Sequence, residues 1–285
     1  MSPVTSPGAA FEGLGRGRTS AATVKKAKSD YAIQTVVNAL RVLETFQDAE
    51  ELGVTDIARS LDLHKNNVFR LLATLELQGY IEQRDGGPYR LGTRCLELGR
   101  AYSRAGGDLL RRAGPALDAL ARETGETAHM ALLRDFEVVH LDGREATQLL
   151  RVGSRVGRRL PAHCTALGKV LLACADERVR SDYDRWIGTS GGLATRTEGS
   201  VVDRDKLFEH LRGVAVRRVA LDLGECDPGV CCVAAPVFDD TGHLVAALSV
   251  SGPCVRCDPE SLVSEVAPRV SAAADRLSSE LGYTS

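Results

Sequence analysis

Five polar side chains suited to hydrogen bonding with nucleic-acid bases lie within one short stretch of the sequence. They are His64, Lys65, Asn66, Asn67 and Arg70. Lysine and arginine can donate to O6 and N7 of guanine, and asparagine can form two hydrogen bonds with N6 and N7 of adenine. None of these side chains suits an apolar core, so we expect all five to be exposed and available for contacts with DNA.

Two short helices are predicted to position this cluster. Apolar residues at helical spacing define both helices: Val54, Ile57, Ala58 and Leu61 in the first, and Val68, Leu71, Leu72 and Leu75 in the second. Oxygens of Thr55 or Asp56 are available to cap the first helix. After a break at residues 61–63, the second helix covers residues 64–78 and ends at Gly79, where a left-handed turn is expected. The pattern indicates a helix-turn-helix, which places the first polar residues of its second helix in the major groove.

A β-hairpin is predicted directly after the second helix. Residues 80–83 and 89–91 have the composition of short strands, and the Gly-rich residues 84–88 form a turn between them. Such a hairpin would be a wing that carries Arg84 and Arg90 to DNA phosphates. The alternative for the whole stretch is an ordinary helical hairpin with a solvated polar face.

Composition and charge are those of a globular protein without an overall attraction for polyanions. The 285 residues suffice for about two domains. Lys plus Arg total 36 against 38 for Asp plus Glu, so DNA binding must depend on a local basic surface. No apolar run approaches the ~20 residues that span a bilayer, and the N-terminus lacks the apolar core of a signal peptide. We therefore expect a cytoplasmic protein with no membrane contact.

Changes in composition and in the spacing of apolar residues divide the chain into four parts. Residues 1–29 are rich in small and polar residues and are predicted to be a disordered basic tail, which either holds phosphates or only solubilises the chain. Residues 30–92, which begin with an amphipathic helix over residues 31–46, form the predicted DNA-binding domain. A linker helix over residues 93–107 follows, and we expect it to contact a second copy of the chain.

Residues 108–285 are predicted to form an α+β domain, a largely antiparallel sheet with helices beside it. Its first helix covers residues 109–124, and Pro115 inside that helix is a candidate for its true start. Strands are expected at 127–133, 137–142, 219–221, 230–238 and 244–251. Further helices are expected at 166–173, 177–186, 204–212 and 262–281.

Several phrases of the sequence resemble the IclR family of bacterial transcription regulators. They are TDIAR at 55–59, VFRLL at 68–72, YRLG at 89–92, LPAHCTALGK at 160–169, PGVCCVAAPV at 228–237 and ALSVSGP at 247–253. The resemblance implies a winged helix-turn-helix, a linker helix and a GAF-like effector-binding domain. It also implies homodimers or homotetramers on a palindromic operator in double-stranded DNA, acting as a ligand-responsive repressor of a catabolic operon.

The same resemblance implies an effector pocket. By position, the pocket would use the backbone of Ala166 and Leu167 at a helix N-terminus, where free N–H groups suit an anion. The matching side-chain positions are Asp222, Cys232, Ser249 and Ser251; without the resemblance, the two serines are ordinary sheet residues. We expect a small organic or aromatic acid as effector and no cofactor. His64 replaces the family's usual proline and Asn66-Asn67 its frequent Ser-Thr, so the operator should differ.

The eight cysteines leave two other signals open. Cys254 and Cys257 have the two-residue spacing of zinc ligands, and they are also candidates for a redox-sensing thiol pair. Either would make the protein a metal- or redox-responsive regulator. In a reducing compartment we expect no disulfide framework and mostly buried thiols.

An enzyme is a remote alternative. The sequence has no P-loop, no GxGxxG at a strand–helix junction and no GxSxG. His163 and Cys164 resemble a base and a nucleophile only because they are adjacent in the chain, and no third partner orients them.

Overall fold

The computed structural model describes residues 31–47, 49–105 and 107–284. The predicted basic tail of residues 1–29 lies outside this part of the chain. No helix among the described residues is long and apolar enough to cross a membrane.

Three helices and a hairpin form the N-terminal domain. They are α1 (Gln34–Glu44), α2 (Val54–Leu61), α3 (Lys65–Leu77), β1 (Ile81–Gln83) and β2 (Tyr89–Leu91). The stripe predicted for α3 is buried throughout, with Val68 and Leu72 fully enclosed. Asp56 accepts a hydrogen bond from Gly53 N–H, and His64 Nδ1 accepts one from Asn66 N–H at 3.3 Å. Both helices therefore begin where capping side chains are available.

The first helix carries more apolar surface than its neighbours cover. Val42 is fully buried and Phe46, just beyond the helix, is nearly so. By contrast, Ile33, Val36 and Leu40 keep 66%, 52% and 55% of their surface exposed. The helix packs against α2 and α3 through Val42 and Phe46, but the small domain buries only one side of its apolar stripe.

The wing is fixed to the end of α3 by a close backbone approach. Gly79 has φ +75°, the left-handed conformation expected there. Gly92 N–H donates to Tyr80 O at 2.8 Å, and a Cβ on Gly92 would lie 3.0 Å from the Gly79 carbonyl carbon. Only glycine allows the two segments to lie this close, so the hairpin leaves α3 in a defined direction.

Two helices connect this domain to the sheet, α4 (Thr93–Ala105) and α5 (Gly107–Thr124). Pro115 lies inside α5, so the prediction that it marks the helix start is wrong. Ala113 and Leu117, on either side of the proline, are fully buried in the same apolar cluster. Because burial on both sides holds the helix in place, one missing backbone donor does not end it.

The second domain is built on one antiparallel six-stranded sheet with the order β5-β4-β3-β8-β7-β6. Its strands are β3 (Thr127–Arg134), β4 (Glu137–Arg144), β5 (Arg159–Pro161), β6 (Ala220–Leu223), β7 (Val230–Phe238) and β8 (Leu244–Pro253). The helices are α6 (Ala166–Ala173), α7 (Glu177–Thr189), α8 (Arg204–Arg217), α9 (Pro259–Ser261) and α10 (Ala267–Glu280), with a π-helical turn (Leu262–Val266) joining the last two.

Side chains alternate between two apolar layers on the two faces of this sheet. Val233 and Val250 face α5 and α10, where they contact a cluster that includes Leu117 and Val270. The neighbouring residues of β7 and β8 point to the other face, towards α6 and α8. The predicted α+β class with an antiparallel sheet is confirmed.

Cys231 and Cys254 form a disulfide across the ends of β7 and β8, so the expectation of no disulfide is wrong. The hairpin brings their Cα atoms to 5.1 Å, within the usual range for this bond. The pairing also removes Cys254 from the predicted Cys254–Cys257 zinc or redox pair. Cys257 is a buried free thiol, and the described residues contain no group of His, Cys, Asp and Glu suited to a metal ion.

Candidate functional site

The polar cluster at the start of α3 forms one exposed face. His64 caps the helix, and Lys65, Asn66, Asn67 and Arg70 are all exposed on its first two turns. Asn66 and Arg70 are four residues apart and therefore neighbours on the helix surface. Nothing in the described part of the chain occupies their hydrogen-bonding groups beyond the helix itself. The face can donate to and accept from base edges, as the sequence predicts.

Phe69 belongs to this face, and the sequence reading missed it. Its side chain is 56% exposed although it lies between the buried Val68 and the exposed Arg70. An exposed aromatic ring at the start of such a helix is suited to contact with a thymine methyl group. The signal in the sequence was its position, which falls outside the stripe of buried residues.

The two wing arginines are each paired with a surface carboxylate. Arg84 Nη1 lies 3.4 Å from Glu51 Oε1, and Arg90 Nη2 lies 3.0 Å from Glu82 Oε2. All four side chains are substantially exposed, so each pair contributes little to folding. DNA phosphates can therefore compete for both arginines at low cost.

All six residues predicted for an effector pocket line one cavity in the second domain. Asp222, Cys232 and Ser251 are direct cross-strand neighbours on β6, β7 and β8. Ser249 lies two residues before Ser251 and on the same face of β8. The first residues of α6, Ala166 and Leu167, form the opposite wall. The enclosed space between these groups is ≈ 20 Å³, room for about one water molecule and far below the ~300–1,000 Å³ of small-ligand sites, so a ligand can enter only if the walls move apart.

The N-terminus of α6 is held tightly in the cavity wall. Thr165 Oγ1 accepts from Gly168 N–H at 3.1 Å, which leaves the N–H groups of Ala166 and Leu167 as the free donors of the first turn. Gly168 packs against the preceding 3₁₀ turn so closely that a Cβ would lie 2.6 Å from the Ala162 carbonyl carbon. The helix end is therefore a fixed group of donors rather than an adjustable one, and it favours an anion.

Burial shifts the pKa values of one carboxyl group and two histidines at the cavity. Burial raises the pKa of Asp222 to about 7, against the hydrogen bond from Glu225 N–H and the attraction of Lys169. Burial lowers the pKa of His140, which lines the cavity, to about 4, and that of His129 behind it to about 3. An anionic ligand therefore meets neutral imidazoles and a carboxyl group that is half protonated near pH 7.

Ser249 contributes a buried hydroxyl group to the cavity wall. Its side chain is 1% exposed, and Oγ has no hydrogen-bond partner among the described residues although it borders the cavity. A buried hydroxyl group without a partner costs about 1–3 kcal/mol, and a ligand oxygen would remove that cost.

The cavity wall also contains an ion pair that the sequence reading did not find. Arg155, on the loop between β4 and β5, binds Asp227, on the loop between β6 and β7, with Nη2 2.5 Å from Oδ2. Neither loop has an apolar period, so nothing in the pattern predicts that they meet. Pairing of distant loops follows from the sheet order, which sequence alone did not give.

The residues considered for catalysis are engaged in structural contacts. His163 Nε2 lies 2.9 Å from Ala194 O, and burial lowers the pKa of its ring. A hydrogen bond with Cys226 and burial together raise the pKa of Cys164. A thiol that resists ionisation is a poor nucleophile, so the geometry gives no support to a His163–Cys164 pair.

A winged helix-turn-helix joined to an antiparallel-sheet domain with an anion-suited cavity defines a DNA-binding transcriptional regulator. Two family profiles match the chain: the helix-turn-helix domain of IclR over residues 35–85, and the C-terminal domain of bacterial IclR transcriptional regulators over residues 104–279. This protein belongs to the IclR family, as the sequence motifs predict.

Known proteins similar to this chain are regulators of the same family. The HTH-type transcriptional regulator XynR of Escherichia coli (strain K12) is 35% identical over 261 residues, covering 88% of this chain and 98% of that protein. The HTH-type transcriptional regulator KdgR of the same organism is 32% identical, covering 90% and 95%. An IclR homologue from Microbacterium hydrocarbonoxydans, crystallised with 4-hydroxybenzoate, is 26% identical with a TM-score of 0.70, covering 87% and 98%.

Proposed function

We propose that this protein is an effector-controlled repressor of a catabolic operon. In the cytoplasm it binds a palindromic operator as a homodimer or homotetramer, and a small organic or aromatic acid in the cavity changes its affinity for that operator. The assignment of an acid as the ligand rests on one observation. The unpartnered Ser249 hydroxyl group lines the same cavity as the free N–H groups of α6. The homologue that holds 4-hydroxybenzoate supports the same class of ligand.

Base reading is assigned to Lys65, Asn66, Asn67 and Arg70, with His64 at the helix cap. Arg84 and Arg90 would position the wing on phosphates. Contacts to phosphate fix the register, while contacts to base edges decide the sequence.

The uncovered apolar sides of α1 and α4 support an oligomer. Val36 and Leu40 on α1, Ile33 directly before it, and Leu96 and Tyr102 on α4 keep more than half of their surface exposed. Exposed apolar residues grouped in this way are typical of contacts between proteins. A second copy would cover them and would place two recognition helices on one palindrome.

The effector can act only by binding two arrangements of the DNA-binding domains with different affinity. Repression follows where the arrangement without effector fits the operator and so blocks an overlapping promoter. A reporter gene placed downstream of the operator shows whether the protein represses or activates transcription. Expression that rises when the regulator gene is deleted agrees with a repressor, and expression that falls contradicts it.

The DNA assignment is tested with Arg70→Ala, using sites selected from random DNA by the wild-type protein. If Arg70 makes a base contact, specific affinity falls by ~1–3 kcal/mol while affinity for unrelated DNA changes little. Arg178→Ala is the matched control, because it removes an equal charge from a side chain that is 92% exposed on α7. Equal affinities for wild type and Arg70→Ala at the selected site would remove Arg70 from the base-reading set.

The pocket assignment is tested by thermal-shift screening of the full-length protein against organic acids, aromatic acids and zinc. An acid that binds the native state raises the melting temperature, and Ser249→Ala should abolish that rise. Ser279→Ala, at an exposed position of α10, is the matched control and should leave it unchanged. A rise with zinc alone, lost in Cys257→Ser, would favour metal sensing instead.

A further inference from the structure

The Arg155–Asp227 ion pair lies in the wall of the effector cavity and is largely shielded from solvent. The two side chains are 19% and 30% exposed, and both border the same space as Ser249 and the start of α6. An ion pair in such a position either stabilises the contact between two loops or forms part of the binding site.

The guanidinium group of Arg155 has donors to spare. It carries five N–H donors, and among the described residues Asp227 is the only acceptor that its side chain binds. Its backbone is fixed independently, because Arg155 N–H donates to His129 Nε2 at 3.2 Å. The cation is therefore held at the cavity by the sheet, whatever its carboxylate partner does.

Asp227 has a second cation within reach. Its Oδ1 lies 3.6 Å from Arg196 Nη2, on the loop between α7 and α8. If another carboxylate took its place on Arg155, Asp227 would keep an opposite charge beside it. Exchange at Arg155 consequently leaves no unpaired buried carboxylate, which is the usual obstacle to breaking such a pair.

Resting on the acid-binding function proposed above, we infer that the effector is a dicarboxylate whose second carboxylate replaces Asp227 on Arg155. The first carboxylate binds the free N–H groups of Ala166 and Leu167. The two anion-suited groups line the same cavity, and Ser249 and Ser251 line it too. Planar guanidinium matches carboxylate geometry and gives a stronger hydrogen bond than a neutral donor.

The bland alternative gives a different ligand preference. If the Arg155–Asp227 ion pair only holds two loops together, the cavity has a single anion-binding group, the N-terminus of α6. An acid with one carboxylate would then bind as well as a dicarboxylate of equal size.

Two pairs of probes of equal size separate these cases: succinate with succinamate, and terephthalate with 4-carbamoylbenzoate. In each pair, one carboxylate is replaced by a neutral amide. Affinities are measured by calorimetry on the full-length protein, wild type, Arg155→Gln and Asp227→Asn. We expect the dicarboxylate of at least one pair to bind ~10-fold or more tighter than its amide in the wild type. Arg155→Gln should bring the two to within about twofold while the amide keeps its affinity.

Asp227→Asn supplies a change of opposite sign, so the outcome does not depend on one variant folding. Removal of the competing carboxylate should strengthen dicarboxylate binding and leave the amide unchanged. A dicarboxylate that binds no better than its amide, an unchanged preference in Arg155→Gln, or weaker dicarboxylate binding in Asp227→Asn overturns the inference while acid binding stands. If no member of either pair binds while other monocarboxylic acids do, the inference alone fails; if no acid of any kind binds, the proposed effector class fails with it.

Discussion

Lys169→Met tests whether the buried lysine of α6 is held by a single carboxylate. Lys169 has no exposed surface, and its Nζ lies 2.5 Å from Glu225 Oε1. Methionine keeps most of the side-chain volume and removes the charge. Glu225 would then be 13% exposed without a cation, and its Oε2 already lacks a hydrogen-bond partner among the described residues.

The cost follows from leaving a buried carboxylate unpaired. Removing one partner of a buried pair destabilises by about 3–5 kcal/mol, and the residual exposure of Glu225 favours the lower end. With a urea m-value of about 1–3 kcal/mol/M, the unfolding midpoint should fall by about 1–3 M. Trp186 is the single tryptophan and stacks on Tyr183 in the same domain, so its fluorescence reports this domain alone.

The double variant Lys169→Met/Glu225→Met separates pairing from packing. Removing both charges should restore most of the lost free energy of unfolding, because an apolar replacement of a buried pair is often neutral. A midpoint for Lys169→Met within about 0.3 M of wild type would refute the reasoning. A double variant no better than the single one would assign the loss to packing of the lysine stem.

Three further predictions concern stability. Gly168→Ala should lower the free energy of unfolding by about 2 kcal/mol or more, because the added methyl group forces α6 away from the turn before it. Gly99→Ala has open space around its Cα and should stabilise α4 by about 0.5–1 kcal/mol. Urea titration measures the free energy of unfolding of both variants. The depressed pKa values of His129 and His140 mean that the unfolded chain binds more protons, so each histidine contributes stability that is present above pH 6.5 and falls by about 1.4 kcal/mol per pH unit down to about pH 4. Asp222, whose pKa is raised to about 7, contributes a slope of opposite sign over the same range. His140→Gln should therefore change the measured slope by about 1.4 kcal/mol per pH unit relative to wild type, and an unchanged slope would contradict the assignment. Cys254→Ser opens a disulfide spanning 23 residues and should cost about 3 kcal/mol without reductant and nothing with it, as thermal unfolding in both buffers measures.

Helical periodicity predicted the DNA-binding domain well because each residue has one role there. Val68 and Leu72 are buried at the expected spacing, and Arg70 between them is exposed. The same rule overstated the buried side of α1, since Ile33 and Leu40 are apolar without being buried in this chain. The helical spacing of apolar residues does not by itself distinguish residues of the core from residues that contact another copy of the chain.

The sequence predicted some residues of the cavity and not others. Ser249 and Cys232 were placed by family motifs, and strand alternation put them on one face. Arg155 and Asp227 lie in loops whose meeting depends on the three-dimensional path of the chain, so no local pattern identified them. A reducing compartment argues against disulfides, whereas the Cys231–Cys254 bond depends on the close approach of β7 and β8, which no local pattern of the sequence shows.

The alternation of Cys231 and Cys232 on β7 has a consequence for how ligand preference can change. Cys231 is bonded to Cys254 on the side of α5 and α10, while Cys232 borders the cavity on the other side. Cys232 and Ser249 are thus each flanked along the strand by residues that belong to a separate apolar layer. Substitutions at Cys232 or Ser249 alter the ligand's surroundings without disturbing that layer. If the cavity binds the effector as proposed, its ligand preference can change through single, structurally tolerated substitutions, one position at a time.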